Sequence, residues 1–214
     1  MLANQRLVAA DGYEVALFPL EYLYMTQDEG GDFSHLGTYN IDFVGYNGTS
    51  VITRAPLYAP VSMTLKSYMP QFNNGNGEIW ESNNKVHLPN GNLDYFTIWV
   101  VHDNAPPYTT VGTSINQGTL FYRTGTYGQV TGDHVHICVG QGRNATLVRR
   151  DTGNADLSNR IHMWDGVFVN DTGIIQGYGH DWRTWTEPTP TPTEDERHFP
   201  YAVALNHWWP KMRK

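Results

Sequence analysis

The chain has 214 residues, enough for one full hydrophobic core and a smaller appendage. Its net charge of −7, with no cluster of Lys and Arg before residues 211–214, argues against nucleic acid as the main partner. A single cysteine, Cys138, rules out an intrachain disulfide framework, and no stretch approaches the roughly 20 apolar residues of a membrane span. The 21 glycines and 12 prolines, with aromatics at 13%, suit a β-rich domain with many turns.

Residues 12–25 read as short strands broken at Pro19, followed by a polar, glycine-containing loop over residues 26–33. Residues 40–44 alternate polar and apolar, which predicts a strand with Asn40, Asp42 and Val44 on one face; His35 then sits across a bend at Gly37. Residues 51–69 hold further strands, and residues 71–77 form a turn cluster. Two strands, over residues 78–86 and 94–101, flank the Asn90-Gly91 hairpin signal. The second is almost wholly apolar or β-branched, so it reads as a central strand that delivers His102 at its end. A strand at residues 120–123 and a glycine-rich turn at 124–132 lead into residues 134–139.

In a strand over residues 134–139, His134, His136 and Cys138 share one face, while Val135, Ile137 and Val139 share the other. The apolar face packs on a core and holds two imidazoles side by side. Beyond residue 141 the pattern weakens. Residues 161–169 suggest one strand, residues 173–185 a surface element rich in glycine and tryptophan, and residues 186–193 a stiff Pro-Thr alternation. The expected organisation is a domain over residues 1–150, an extension packed on it over 151–185, and a Pro/Thr linker with a C-terminal tail over 186–214. The expected class is all-β: an antiparallel sheet or sandwich, barrel-sandwich-like, with an active-site cleft.

Three segments each place an imidazole or carboxylate beside a turn: His35 with Asp42, His102, and His134 with His136. A catalytic zinc takes three protein ligands, typically His nitrogen and carboxylate oxygen, and keeps a fourth position for water. This combination points to metal-assisted hydrolysis. His87, His162, His180, His198 and His207 read as structural or surface residues. Tyr39 either lines the cleft or packs. The tryptophans Trp164, Trp182, Trp185, Trp208 and Trp209 either stack on sugar rings or pack the extension.

The order His35-x-Gly37, Asp42, the Ala59-Pro60 strand, His102, and then Gly125-x-x-Gly128-x-x-Thr131-Gly132-x-His134-x-His136 resembles the lysostaphin-like (LytM-type) peptidoglycan zinc endopeptidases. The resemblance covers roughly residues 15–142. It implies that His35, Asp42 and His136 bind Zn²⁺ and that His102 and His134 act on the attacking water and the oxyanion. It also implies that the substrate is bacterial peptidoglycan, cut in the stem peptide or the cross-bridge.

Two departures stand out. Family members commonly place the first His and the Asp four apart, whereas here they are seven apart, with Asp32 as the fallback ligand. The position two after His136, often acidic in the family, is Cys138, read as a small buried residue or a thiolate ligand. The N-terminus shows no signal-peptide pattern. With the short acidic chain, this suits a phage lysin made in the host cytoplasm: an endolysin released at lysis, or a tail-associated lysin that also contacts other virion tail proteins. No membrane or nucleic-acid partner is expected. The alternatives are a non-catalytic phage structural or adaptor protein of the same fold, and a zinc peptidase of the D-alanyl-dipeptidase kind.

Overall fold

A computed structural model describes residues 4–72 and 75–189. The expectations for His198, His207, Trp208, Trp209 and the tail from residue 190 lie outside the described residues. Among these, one nine-stranded sheet dominates. Its main path runs Ser114–Ile115, Met63–Phe72, Gly75–Ser82, Phe96–Asp103, Val135–Gln141, Ile41–Phe43, Tyr22–Gln27 and Gly173–Gln176. The ninth strand, Arg160–Ile161, pairs with the far half of Val135–Gln141, opposite Val139 and Gly140. All pairings are antiparallel except that of Gly173–Gln176 with Tyr22–Gln27, which is parallel. The only helix among the described residues is the single turn Met163–Gly166. The protein is all-β and mainly antiparallel, and no described helix is long and apolar enough to cross a membrane.

The period of two sorts the sheet into two apolar layers. Ile41, Phe43, Leu65, Trp80, Phe96, Ile98, Val100, Val135, Ile137 and Val139 face the larger core, closed from the other side by Phe18, Leu57, Val61 and Phe121. Ile79, Trp99, Val101 and Cys138 face the opposite way and are covered by Leu157. Leu157 belongs to a hairpin formed by Leu147–Arg149 and Ala155–Leu157. That hairpin caps only part of this face, and the end carrying the histidines stays open.

Two local expectations are revised. Residues 161–169 do not form one strand. The chain leaves the sheet after Ile161 and makes the turn Met163–Gly166, then meets Leu17 at Phe168. Gly166 allows this, because a methyl there would lie 2.8 Å from Val139 Cγ2. The central strand also does not stop short of His102. It runs to Asp103 through a bulge between Val100 and Asp103 that re-aims His102.

Glu78 is buried on the larger-core side, where its Oε2 accepts a hydrogen bond from Trp80 Nε1 at 2.7 Å. Burial, reinforced by the charge of Asp103 and opposed by the Trp80 bond, pushes its carboxyl up from 4.5 to about 8. A raised carboxyl pKa means that the folded state keeps a proton the unfolded state has lost. Stability therefore falls as pH rises from the ordinary value towards the raised one, by up to about 1.4 kcal/mol per pH unit. In urea unfolding across that window, wild type should lose stability steadily relative to Glu78→Gln. A difference that does not change with pH contradicts this account.

Candidate metal centre

The site is built by strand register. In the antiparallel pairing of Val135–Gln141 with Ile41–Phe43, His136 stands directly opposite Asp42. Both project to the face away from the larger core, because their neighbours Val135, Ile137, Ile41 and Phe43 are committed to it. On its other side His136 is opposite Val101, and the Trp99 ring meets its imidazole edge to face with the ring centroids 5.3 Å apart. His35 arrives from the preceding loop and is fully buried. The six intervening residues bulge through Gly37, whose φ of +74° is one that glycine adopts without strain.

Three donor atoms converge. His35 Nε2 lies 3.1 Å from Asp42 Oδ1 and 3.1 Å from His136 Nδ1, and His136 Nδ1 lies 2.9 Å from Asp42 Oδ1. Among the described residues this is the one group of three or more His, Cys, Asp or Glu residues close enough to share an ion. His35 Nδ1 donates to the carbonyl oxygen of Asp28 at 2.9 Å, so a neutral ring presents Nε2 as a bare lone pair. That lone pair faces a carboxylate oxygen, an acceptor, which is the arrangement a cation requires. A tetrahedral ion with bonds of about 2.0–2.1 Å would set its ligand atoms about 3.3 Å apart, within a few tenths of an ångström of what is seen here. The donor set of two imidazoles and one carboxylate fits Zn²⁺.

The electrostatics agree. Burial alone would raise the Asp42 carboxyl, but the imidazoles of His136 and His35 set against it outweigh burial and hold the group far below the usual carboxylate range. Burial pushes His136 down, against the pull of Asp42, which favours the neutral imidazole that a ligand must be.

His102 and His134 lie beside this centre with ring centroids 4.7 Å apart. His134 Nδ1 donates to the Gly132 carbonyl at 2.9 Å, and its Nε2 is 3.6 Å from Asp42 Oδ2. His102 Nδ1 donates to the Tyr127 carbonyl at 3.0 Å, leaving Nε2 as its basic nitrogen. Burial, with the imidazoles of His134 and His136 close enough to oppose a further positive charge, lowers His102 to about 4, so it is neutral at neutral pH. Its backbone is strained, with φ of +95°. Such a conformation costs about 1–3 kcal/mol and persists only where surroundings enforce it. Here Tyr127 N bonds the His102 carbonyl at 3.2 Å, and Asp103 is held by Arg54 at 2.7 Å and by the Tyr122 hydroxyl at 2.9 Å.

All five residues expected from the sequence therefore come together. Asp42, His102, His134 and His136 line a cleft of about 240 Å³, with Phe33, Gln129, Thr131 and Asn154 among its walls, and His35 lies beneath it. Asp32 is exposed and is not part of the donor group. Cys138 is buried against Trp99 and Leu157, its thiol pushed well up by that burial, and it is not part of the group either. Tyr39 stacks on His162 rather than lining the cleft. Trp164, Trp182 and Trp185 pack against the cores, and His87, His162 and His180 pair with Asp11, Glu29 and Asp28. The Asp28 carbonyl behind His35 and the Arg54–Asp103 pair behind His102 had no local signature, since each meets its partner only through the fold.

No family model matches the chain. Among curated proteins it is 31% identical over 194 residues to Morphogenesis protein 1 of Bacillus phage B103, an alignment covering 87% of this chain and 49% of that protein. The chain thus spans about half the length of the curated relative it matches. Similar solved structures include lysostaphin from Staphylococcus simulans in solution, at 17% identity over 82% of this chain and 62% of that one with a TM-score of 0.46. The catalytic domain of the same protein gives 17%, 65%, 88% and 0.41, and a zinc-containing peptidase from Vibrio cholerae gives 15%, 73%, 46% and 0.42. Function is read from the side chains and their geometry.

Gly125 packs so closely behind His102 that an added methyl would overlap the His102 carbonyl oxygen. Gly125→Ala should destabilise the protein by about 1–3 kcal/mol in denaturant unfolding. Wild-type stability in that variant would contradict the bracing described for His102.

Proposed function

We propose that the chain is a lysostaphin-like zinc endopeptidase that hydrolyses a peptide bond of bacterial peptidoglycan. The observation that carries this reading is the convergence of His35 Nε2, Asp42 Oδ1 and His136 Nδ1 at one open cleft, with two further imidazoles beside it. His35, Asp42 and His136 would hold the ion. Bound there, zinc supplies Lewis acidity, polarising the scissile carbonyl and bringing the pKa of a water to about 7.

This chain's own residues do the rest. His102, kept neutral by burial and fixed through Nδ1, takes the proton of the attacking water at Nε2. His134, oriented by the Gly132 carbonyl, donates from Nε2 in its protonated form to the oxyanion that develops on the substrate. Asp42, ionised throughout the working range, supplies the negative charge that makes the pocket selective for a cation. The walls at Phe33, Gln129 and Thr131 receive an extended peptide.

The phage relative supports a virion setting, and its name, a morphogenesis protein, favours a wall-cleaving part of the particle over an endolysin released at lysis. The same name favours a second reading, in which the fold serves assembly alone and cuts nothing.

Metal analysis and peptidoglycan digestion separate the two. The purified chain should hold close to one zinc and release peptides from walls. His35→Ala and His136→Ala should lose both properties. His102→Ala should keep the zinc and lose about 10²–10⁴-fold in rate. A chain that stays metal-free and inactive with added zinc contradicts the enzyme reading and favours assembly alone.

A further inference from the structure

Strand register fixes Asp42 and His136, but nothing of that kind fixes His35, which hangs in a loop six residues ahead of its strand. His35 is tied locally to Gly31 and Asp28, and the loop that follows it is held by one later segment, residues 152–160. The Leu36 carbonyl accepts from Thr152 Oγ1 at 2.7 Å and from Asn154 Nδ2 at 3.3 Å. The Gly37 carbonyl accepts from Arg160 Nη1 at 2.9 Å. Tyr39 N donates to Asp156 Oδ2 at 3.2 Å, and Asn40 Nδ2 donates to the Ala155 carbonyl at 2.8 Å.

Asp156 is the hub of this contact. It is fully buried, accepts from Arg150 Nε at 2.6 Å, and pairs through Oδ2 with Arg160. Arg160 in turn lies over the Tyr39 ring, 4.3 Å from its centroid. The hairpin that carries Asp156 is itself anchored by Leu157 beside Trp99 and Cys138, on the same sheet face as His136. It therefore ties the loop bearing one donor to the strand bearing another.

We propose that this hairpin is a positioning device for the metal centre and that Asp156 is its positioning residue. It sets where His35 Nε2 stands relative to Asp42 and His136, and so offsets the long spacing between His35 and Asp42. Asp156 touches neither donor atom nor cleft; it acts through the backbone of Gly37 to Asn40. The proposal rests on the metal-site reading of the preceding subsection. Groups that orient a ligand from behind typically change metal affinity by 10–100-fold when removed.

The test is zinc affinity of the full chain, measured by competition with a chromophoric chelator, alongside near-UV circular dichroism and the visible spectrum of the cobalt(II)-loaded protein. Asp156→Asn should bind zinc about 10–100-fold more weakly with its tertiary signal retained, and its cobalt spectrum should shift. Thr152→Val, which removes only an exposed hydroxyl from the Leu36 carbonyl, should weaken binding a few-fold and carries the test if Asp156→Asn fails to fold. His35→Ala should lose the tight site. If both hairpin variants bind zinc as wild type does while His35→Ala does not, the hairpin has no positioning role and the ligand assignment stands. If wild type has no tight site, the ligand assignment falls and the positioning role falls with it.

Discussion

The pairing of His136 opposite Asp42 across two antiparallel strands is the constraint on which the rest of the site depends. Side chains alternate along a strand, so a register slip of one residue would turn both groups into the larger core and bring Ile137 and Ile41 out. The apolar residues forbid that slip. Val135, Ile137 and Val139 on one strand, and Ile41 and Phe43 on the other, are all fully or almost fully buried in the larger core. The donor geometry is thus a by-product of hydrophobic burial.

The site opposes folding in two ways. A buried carboxylate is costly unless it is paired, and Asp42 faces two imidazole nitrogens in the arrangement a cation completes. A non-glycine residue at φ of +95° is strained, and His102 is held there by the Tyr127 main chain behind it and by Asp103 bound to Arg54. Both features cost stability and both place a chemically useful nitrogen or oxygen at the cleft. Glu78 is another buried carboxyl, but it bonds Trp80 on the larger-core side and serves the fold rather than the cleft.

The parts legible in the sequence were those written by local periodicity. The alternation of His134, His136 and Cys138 with Val135, Ile137 and Val139 announced a strand with a histidine face, and the apolar run before His102 announced a central strand. Cys138 read as a small buried residue, and its packing beside Trp99 and Leu157 agrees. The seven-residue spacing of His35 and Asp42 was legible only as a bulge of unknown support. What supports it lies more than a hundred residues away, at Thr152, Asn154, Asp156 and Arg160, and no short-range pattern links those residues to Gly37. The short turn Met163–Gly166 was missed for a related reason. It is set by Gly166 fitting over Val139, a contact that apolar periodicity does not encode.

The central claim is that two imidazoles and one carboxylate form one zinc site. Zinc-edge X-ray absorption on the metal-loaded chain tests it most directly. The account predicts a first shell of nitrogen and oxygen only, at about 2.0–2.1 Å, with the outer-shell scattering of two imidazole rings. A sulfur at about 2.3 Å, which would bring in Cys138, or a shell without imidazole scattering, would contradict it.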